Sequence, residues 1–284
     1  MVSPARRRDA VSHLVRHHGV SERRACLVCD QHRSTQRYQP IPSELELKLV
    51  KRMNELAARH PRYGYRRVWA LLRSEGFLVN RKRIERLWRL EGHRVPARRT
   101  KESGKRAQGG SGNAAWNRPA AHPNHIWSYD FMNARTQSGS LIRILNVVDE
   151  YTRVALSCRV ASSIGSSQVM EELESLFCRH GKPRCLRSDN GREFISRTLT
   201  DWLRAQGVEP VFIEKGSPQQ NPYDERFNGT MRDEKLSGEE FRSVLEARVV
   251  LHAWLEEYNT RRPHRGLGMR TPLQYAQDCR KGSK

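Results

Sequence analysis

The spacing of hydrophobic residues changes near residue 120 and divides the chain into two parts. Before that point, apolar residues recur every three or four positions, which is the period of amphipathic helices. After it, apolar runs of strand length alternate with further helical segments. We therefore predict an all-α front part and an α/β back part.

The front part opens with short helices rich in arginine, predicted over residues 1–40. One helix is expected to begin at Ser21 and to end near Ser34. A longer helix is expected after Ser43, because Ser43 and Glu46 have the spacing of a capping box. Residues 41–96 are predicted as the next domain.

Within that domain, residues 64–92 predict two successive amphipathic helices. Gly76 ends the first helix and Asn80 caps the second. Three basic residues fall opposite the apolar face of the second helix: Lys82, Arg86 and Arg89. This pattern is typical of a helix-turn-helix that contacts DNA through a basic stripe, and the alternative is an ordinary solvated face. Residues 97–120, rich in Gly, Ser, Lys and Arg, predict a flexible basic linker.

The back part predicts three strands, a helix, a strand, a helix, a strand and a helix, in that order. This is the element order of a ribonuclease H-like fold with a mixed five-stranded sheet, assigned to residues 121–238. Asn221-Pro222 is expected to start the helix that runs to about residue 236. Residues 239–284 are predicted as a C-terminal amphipathic helix, over about 239–259, and a tail.

Charge is distributed unevenly between the two parts. The chain has 284 residues and a net charge of +21. The first 115 residues contain 27 Lys and Arg against 10 Asp and Glu, whereas the remaining residues contain 25 against 21. We expect the front part to bind a polyanion. In the back part, basic and acidic residues nearly balance, so acidic residues are available there for chemistry.

Three acidic residues stand in distinctive contexts: Asp130 in WSYD, Asp189 in RSDNGREF and Glu225 in NPYDERFNG. Between Asp189 and Glu225 lie 35 residues. Acids on two strands and a helix can meet at one edge of a sheet and hold two divalent ions for attack at a phosphodiester. Mg²⁺ or Mn²⁺ suits such oxygen ligands. Asp149 in NVVDEYTR is a weaker candidate, expected to shape the neighbouring loop.

The remaining chemistry-bearing residues give weaker signals. Cys26 and Cys29 form a lone CxxC, with His32 as a possible third zinc ligand, but helical spacing favours simple packing. Neither an apolar leader nor an apolar run of membrane-spanning length occurs in the sequence. We expect a cytoplasmic, nucleoid-associated protein with no membrane partner. His264 in RRPHRGL is open to two interpretations, DNA contact or packing.

Several motifs in the same order resemble the OrfB transposases of the IS-three family of bacterial insertion sequences, which have a retroviral-integrase-like core. The matching segments are HPRYGYRRVWALLRSEGFLVNRKRIERLWR, NHIWSYDF, NVVDEYTR, RSDNGREFIS, GSPQQNPYDERFNGTMRDE and YNTRRPHRGLGMRTPLQYA. The resemblance implies that Asp130, Asp189 and Glu225 are catalytic metal ligands for two ions. It also implies that Arg232, seven residues after the glutamate, contacts DNA near the cut.

The family resemblance implies a transposase that binds element ends and carries out metal-dependent cleavage and strand transfer. Its partners would be double-stranded DNA at the element ends and the target, and further copies of the chain. A protein from an upstream reading frame, or a frameshift fusion with it, is a further expected partner. Two alternatives stay open: a non-catalytic DNA-binding relative and a ribonuclease H-like nuclease.

Overall fold

A computed structural model describes residues 4–38, 43–96, 119–213 and 221–282. The chain divides into two compact units, residues 1–51 and 52–284. Among the described residues, no helix is both long and apolar enough to cross a membrane.

The first unit contains three helices and the start of a fourth. These are α1 (Pro4–His18), α2 (Glu22–Val28), α3 (Arg33–Arg37) and α4 (Glu44–Arg59). The side chains of Val11, Ala25 and Cys26 are buried together. Cys26 therefore packs in a small apolar core, and Cys29 follows at the end of α2.

The predicted single helix from Ser21 to about Ser34 is wrong, because the structure has two helices there. Ser21 caps α2 as expected, accepting a hydrogen bond from the Arg24 backbone at 3.4 Å. The helix then ends at Val28, and Asp30 adopts a positive φ of 48° that no helix continues through. An ion pair of 3.0 Å between Asp30 and Arg7 stabilises this turn.

The helix-turn-helix segment lies in the second unit and consists of α5 (Tyr65–Ser74) and α6 (Arg81–Leu90). Gly76 has a φ of 93°, which allows the chain to leave α5 in a left-handed turn. Asn80 caps α6 by accepting a hydrogen bond from the Lys82 backbone at 2.9 Å. Buried apolar residues join α4, α5 and α6: Met53, Leu56, Val68, Leu72, Ile84 and Leu87. The predicted linker, residues 97–120, lies outside the described residues except for its last two.

A five-stranded mixed sheet forms the centre of the second unit and confirms the predicted fold class. Its strands are β1 (Ile126–Arg135), β2 (Leu141–Asp149), β3 (Ala155–Ala161), β4 (Cys185–Ser188) and β5 (Glu209–Phe212). The strand order is β3-β2-β1-β4-β5. The first three strands are antiparallel, and β4 and β5 run parallel to β1.

Helices cover the sheet on both faces, so that alternate strand residues enter two separate cores. Residues such as Tyr129 and Val147 pack in one core with α7 (Ser166–His180) and α8 (Arg197–Ala205). Residues such as Met132 and Ile144 pack in the other core with two helices, α9 (Pro222–Met231) and α10 (Val244–Thr260).

The C-terminal elements differ in detail from the predictions. The helix expected to reach residue 236 is α-helical to Met231 and then widens into a π-helical turn, Arg232–Leu236. The final amphipathic helix starts at Val244 rather than near 239, because Phe241 bridges to Thr136 and Ser243 caps α10. A short 3₁₀ turn (Arg265–Leu267) and α11 (Pro272–Gly282), which the sequence did not predict, follow.

Candidate active site

Two of the predicted acids occupy equivalent positions on neighbouring strands. The last paired residues of the parallel strands β1 and β4 are Ser128 and Arg187. Asp130, in the middle of β1, and Asp189, the first residue after β4, each lie two residues beyond this pair, so they are level with each other where β4 ends. The strand register therefore places the two residues side by side.

Hydrogen bonds fix the half-buried carboxylate of Asp130. Its Oδ1 accepts from the Phe131 backbone at 2.7 Å, and its Oδ2 accepts from Nδ2 of Asn228 at 2.8 Å. Asn228 lies on α9, so this bond connects the first strand to the helix that carries Glu225.

A second asparagine supports the first from inside the core. Asn146 is fully buried on β2, directly opposite Asp130 in the antiparallel register. Its Nδ2 donates to Oδ1 of Asn228 at 2.7 Å. This bond orients the Asn228 amide so that its NH₂ group faces Asp130. The sequence interpretation missed Asn146, although a polar residue within the apolar run ILNVVD was a usable signal.

The turn after β4 holds Asp189. Oδ1 of Asp189 accepts from the Gly191 backbone at 2.9 Å, and Asn190 donates to the Ile213 carbonyl at 2.5 Å. A Cβ at position 191 would lie 3.0 Å from that same carboxylate oxygen and 3.2 Å from the Phe194 ring. A larger residue at position 191 would therefore crowd the Asp189 carboxylate and the Phe194 ring, which favours glycine in this turn.

Adjacent acids on α9 occupy opposite environments. Glu225 is exposed, whereas Asp224 is fully buried and accepts a hydrogen bond from Asn221 at 3.1 Å. Burial, together with the charge of Asp130, raises the pKa of Asp224 well above its usual value. Asp224 thus supports the start of α9 from within the protein, and Glu225 is the acid that solvent and ligands can reach.

Electrostatic coupling links the three predicted acids. Burial, followed by the negative charges of Asp189 and of Glu225, raises the pKa of Asp130 to about 6. Neighbouring negative charges that raise the pKa of a carboxyl group in this way are typical of a site that receives a cation. Within the described residues, no group of three or more His, Cys, Asp or Glu side chains is arranged closely enough to hold a metal ion.

Asp149 has the structural role that was predicted for it. Its Oδ1 accepts from the backbone of Tyr151 and Thr152 at 2.9 and 2.8 Å, and its Oδ2 accepts from the Asn124 backbone at 2.7 Å. The carboxylate is buried and shapes the turn after β2. It is therefore not available to a ligand at the sheet edge.

The residues predicted to contact DNA are all exposed. Lys82, Arg86 and Arg89 face solvent on α6, opposite its buried residues, and Arg89 pairs with Glu85 at 2.7 Å. Arg232 is exposed at the start of the π-helical turn, about two turns from Glu225. His264, in contrast, is half-buried and packs edge-on against Tyr258.

A mixed five-stranded sheet with acids level on β1 and β4 defines an integrase-type catalytic core. Two family models described as "Integrase core domain" match residues 120–218 and 206–272, and one described as "HTH-like domain" matches residues 44–101. Together these segments include the sheet, the acids and the predicted DNA-binding helices.

Proteins of bacterial insertion elements are similar along most of the chain. The insertion element IS476 uncharacterized 39.2 kDa protein of Xanthomonas euvesicatoria is 37% identical over 98% of this chain and 79% of its own length. The IS407 uncharacterized 31.7 kDa protein of Burkholderia multivorans is 38% identical over 90% of this chain and 91% of its own. The transposase for IS904 of Lactococcus lactis is 27% identical over 75% and 87%. The chain belongs to the family of insertion-sequence transposases with an integrase core.

Solved integrase catalytic cores are similar to part of the chain. The catalytic core of HTLV-2 integrase, solved in complex with magnesium, is 17% identical and covers 55% of this chain and 99% of its own, with a TM-score of 0.44. The catalytic core of BIV integrase is 21% identical and covers 56% of this chain and 98% of its own, with a TM-score of 0.42.

Proposed function

We propose that this chain binds the ends of an insertion sequence, cleaves a phosphodiester there and transfers the freed strand to target DNA. The observation that carries the proposal is the level placement of Asp130 and Asp189 on β1 and β4, with the charge of Glu225 acting on Asp130. Membership of an insertion-sequence family supports the choice of substrate.

We further propose that Asp130, Asp189 and Glu225 hold two Mg²⁺ or Mn²⁺ ions. The three carboxylates are of the chemical type that hard divalent cations prefer. In the described structure they are not close enough together to hold an ion as a group of three, so the proposal requires them to move closer when metal and DNA bind. The negative charges of Asp189 and Glu225 beside Asp130 fit divalent cations as well, because added positive charge would lower the raised pKa of Asp130. Such ions, when bound, activate a water or 3′-hydroxyl nucleophile and stabilise the leaving 3′-oxygen.

The protein's own groups then have separate tasks in this proposal. Asn228 and Asn146 keep the Asp130 carboxylate in one orientation, which removes a reorganisation cost at the moment of reaction. Exposed Glu225 reaches the DNA side of the sheet edge. Arg232 lies on the same face of the helix as Glu225, where its guanidinium can pair with a phosphate oxygen.

DNA capture is assigned to the helix-turn-helix, with Lys82, Arg86 and Arg89 on its exposed face. Transfer of two element ends to one target requires more than one active site, so we propose that the chain acts as a homo-oligomer on DNA. A protein from an upstream reading frame, or a fusion with it, is proposed as an additional partner in end recognition.

A strand-transfer assay tests the proposal. The substrate is a labelled duplex carrying the inverted repeat that flanks the gene, incubated with a target plasmid and Mg²⁺ or Mn²⁺. Asp189→Asn keeps the side-chain shape but removes the charge, and we expect strand transfer to fall by about 10²–10³-fold or more. Binding of the same duplex should be retained, because Asp189 does not belong to the basic surfaces.

A matched control is Asp201→Asn, which makes the same change at an exposed position on α8. It should leave strand transfer at the wild-type level. Strand transfer by Asp189→Asn at the wild-type rate would refute the metal-ligand assignment. Cleavage of an RNA–DNA hybrid in preference to element ends would replace the proposed function with that of a nuclease.

A further inference from the structure

An arginine-rich cleft lies between the helix-turn-helix and the glutamate helix, on the side of α9 away from the acids. Its volume is about 480 Å³. One wall is contributed by residues around α5, including Arg62 and Arg67, and another by α9. Six arginines line it: Arg62, Arg67, Arg153, Arg226, Arg262 and Arg265. Only two carboxylates, Asp233 and Glu234, share the lining with them.

Those two carboxylates neutralise one half of the cleft and also join the domains. Asp233 forms an ion pair with Arg62. Glu234 pairs with the buried Arg262 at 2.6 Å and with Arg67 at 3.5 Å. Both acids belong to the π-helical turn that follows α9. The helix-turn-helix is thus attached to the continuation of the helix that carries Glu225.

The other half of the cleft keeps uncompensated positive charge. Within the described ranges, Arg153, Arg226 and Arg265 form no ion pair with a carboxylate. Arg226 and Arg265 are exposed. Arg153 lies over the Tyr223 ring at 3.7 Å, and its Nη1 is shielded from solvent without a hydrogen-bond partner in the described structure. A buried guanidinium N–H of this kind requires an acceptor.

The position of the cleft on α9 relates it to the active site. Tyr223, Arg226 and Thr230 line the cleft, and at 100° per residue they lie on one side of the helix. Glu225 and Asn228 lie on the other side. A nucleic-acid strand that crosses α9 would therefore meet the acids on one side and the free arginines on the other.

We propose that this cleft binds a backbone phosphate of the DNA, on the same strand as the phosphate that is cut. Arginine guanidinium groups match phosphate oxygens in charge and in planar geometry. An α-helix such as α9 is about 10 Å wide, and successive phosphates of one DNA strand lie about 3.4 Å apart along the duplex axis. A strand that crosses α9 therefore places the second phosphate about three nucleotides from the cut. This inference rests on the proposed function.

Binding of the inverted-repeat duplex to the full chain, measured over a series of salt concentrations, tests the inference. Arg226→Gln/Arg265→Gln should weaken binding by about tenfold. It should also lower the slope of log affinity against log salt by about one to two, which corresponds to the loss of about one to two phosphate contacts. Arg226→Lys/Arg265→Lys keeps the charge and should retain most of the affinity. Arg280→Gln/Lys281→Gln removes two exposed charges on α11 and is the matched control.

Single methylphosphonate substitutions along the duplex locate the contact. With the wild-type chain, one neutralised phosphate a few nucleotides from the cut should weaken binding, and with Arg226→Gln/Arg265→Gln the same substitution should have no further effect. Equal losses in the variant and its control would overturn the inference. Competition by inorganic phosphate with unchanged DNA binding by the variant would also overturn it, in favour of a free-anion site. Failure of the wild-type chain to bind the duplex would overturn the proposed function itself.

Discussion

At the scale of single residues, the candidate site depends on polar side chains that are buried beside it. Asn146 orients Asn228, and Asn228 holds one oxygen of Asp130, so two amides in the core fix a carboxylate at the surface. Removal of either partner would leave a buried polar group unsatisfied as well as loosen the acid. The precision of the site is therefore set in the interior of the protein.

Burial also determines the charge state and the role of His264. Burial, followed by the charges of Arg262 and Arg67, lowers the pKa of His264 to about 2. The imidazole is neutral at physiological pH, with Nε2 3.4 Å from a guanidinium nitrogen of Arg262. Of the two interpretations of His264, packing agrees with the structure.

This depressed pKa predicts a specific loss of stability in acid. The unfolded chain binds a proton on this histidine below about pH 6.5, whereas the folded chain does not. The free energy of unfolding should therefore fall as pH decreases through 6.5, by up to about 1.4 kcal/mol per pH unit from this group. Chemical denaturation of wild type and His264→Gln at pH 7.5, 6 and 5 isolates the effect. The difference in the free energy of unfolding between wild type and His264→Gln should shrink by that amount as the pH is lowered. A difference that stays constant across the three pH values would contradict the prediction.

At the scale of elements, the strands and helices followed from hydrophobic periodicity, whereas their junctions did not. Apolar runs of strand length made the strands predictable. The cap residue Asn80 made α6 predictable, and Asn221-Pro222 did the same for α9, the helix that carries Glu225. The break at Asp30, the π-helical turn after Met231 and α11 were not predicted. The π-helical turn carries the tertiary ion pairs of Asp233 and Glu234, which no local pattern contains. The start of α11, in contrast, has a local signal that the sequence interpretation missed, because Thr271 and Gln274 form a capping box before Pro272.

The acids proposed for the site were selected from local sequence. Asp130, Asp189 and Glu225 stand within motifs, so proposing them needed no coordinates. Their supporting residues, Asn146 and Asp224, stand out only once the sheet register and the burial of α9 are known. A sequence motif thus indicates which side chains meet a ligand, and the fold shows what holds them.

A buried ion pair connects the turn after β2 to β4, the strand that Asp189 follows. Glu150, just after β2, contacts Arg187 of β4 at 3.0 and 3.1 Å, and both side chains are almost fully buried. Glu150→Ala would leave the Arg187 charge buried without this partner, and we expect a loss of about 3–5 kcal/mol in the free energy of unfolding. Denaturant titration measures it.

Two controls make that prediction specific. Glu150→Leu/Arg187→Leu removes both charges together and should recover much of the loss. Asp201→Ala breaks an exposed ion pair with Arg204 and should change stability by less than about 1 kcal/mol. Similar losses for Asp201→Ala and Glu150→Ala would show that burial is not the decisive factor.

At the scale of the whole molecule, positive charge is concentrated in the part that contains the helix-turn-helix. The first 115 residues have 27 Lys and Arg against 10 Asp and Glu. Because each phosphate contact releases counterions, this surplus should appear as a steep salt dependence of DNA binding. The balanced remainder of the chain contributes fewer such contacts.

Removing the predicted stripe tests this assignment. Lys82→Gln/Arg86→Gln/Arg89→Gln should lower the slope of log affinity against log salt by about 2–3. Arg197→Gln/Arg280→Gln/Lys281→Gln removes the same charge from exposed positions on α8 and α11 and should lower it much less. Filter binding or anisotropy from about 50 to 200 mM salt supplies the slopes. Equal slopes for the two triple variants would show that α6 has no special role.

The ion pairs of Asp233 and Glu234 with Arg62 and Arg67 limit how freely recognition modules can be exchanged between insertion sequences. A transplanted helix-turn-helix that lacks both arginines would remove the Arg62 partner of Asp233 and the Arg67 partner of Glu234, although Glu234 would keep its ion pair with Arg262. Residues 62 and 67 must therefore be exchanged, or redesigned, together with residues 233 and 234. A functional swap between two insertion sequences has to include both the helix-turn-helix and the π-helical turn of the catalytic core, although the two segments are far apart in the sequence.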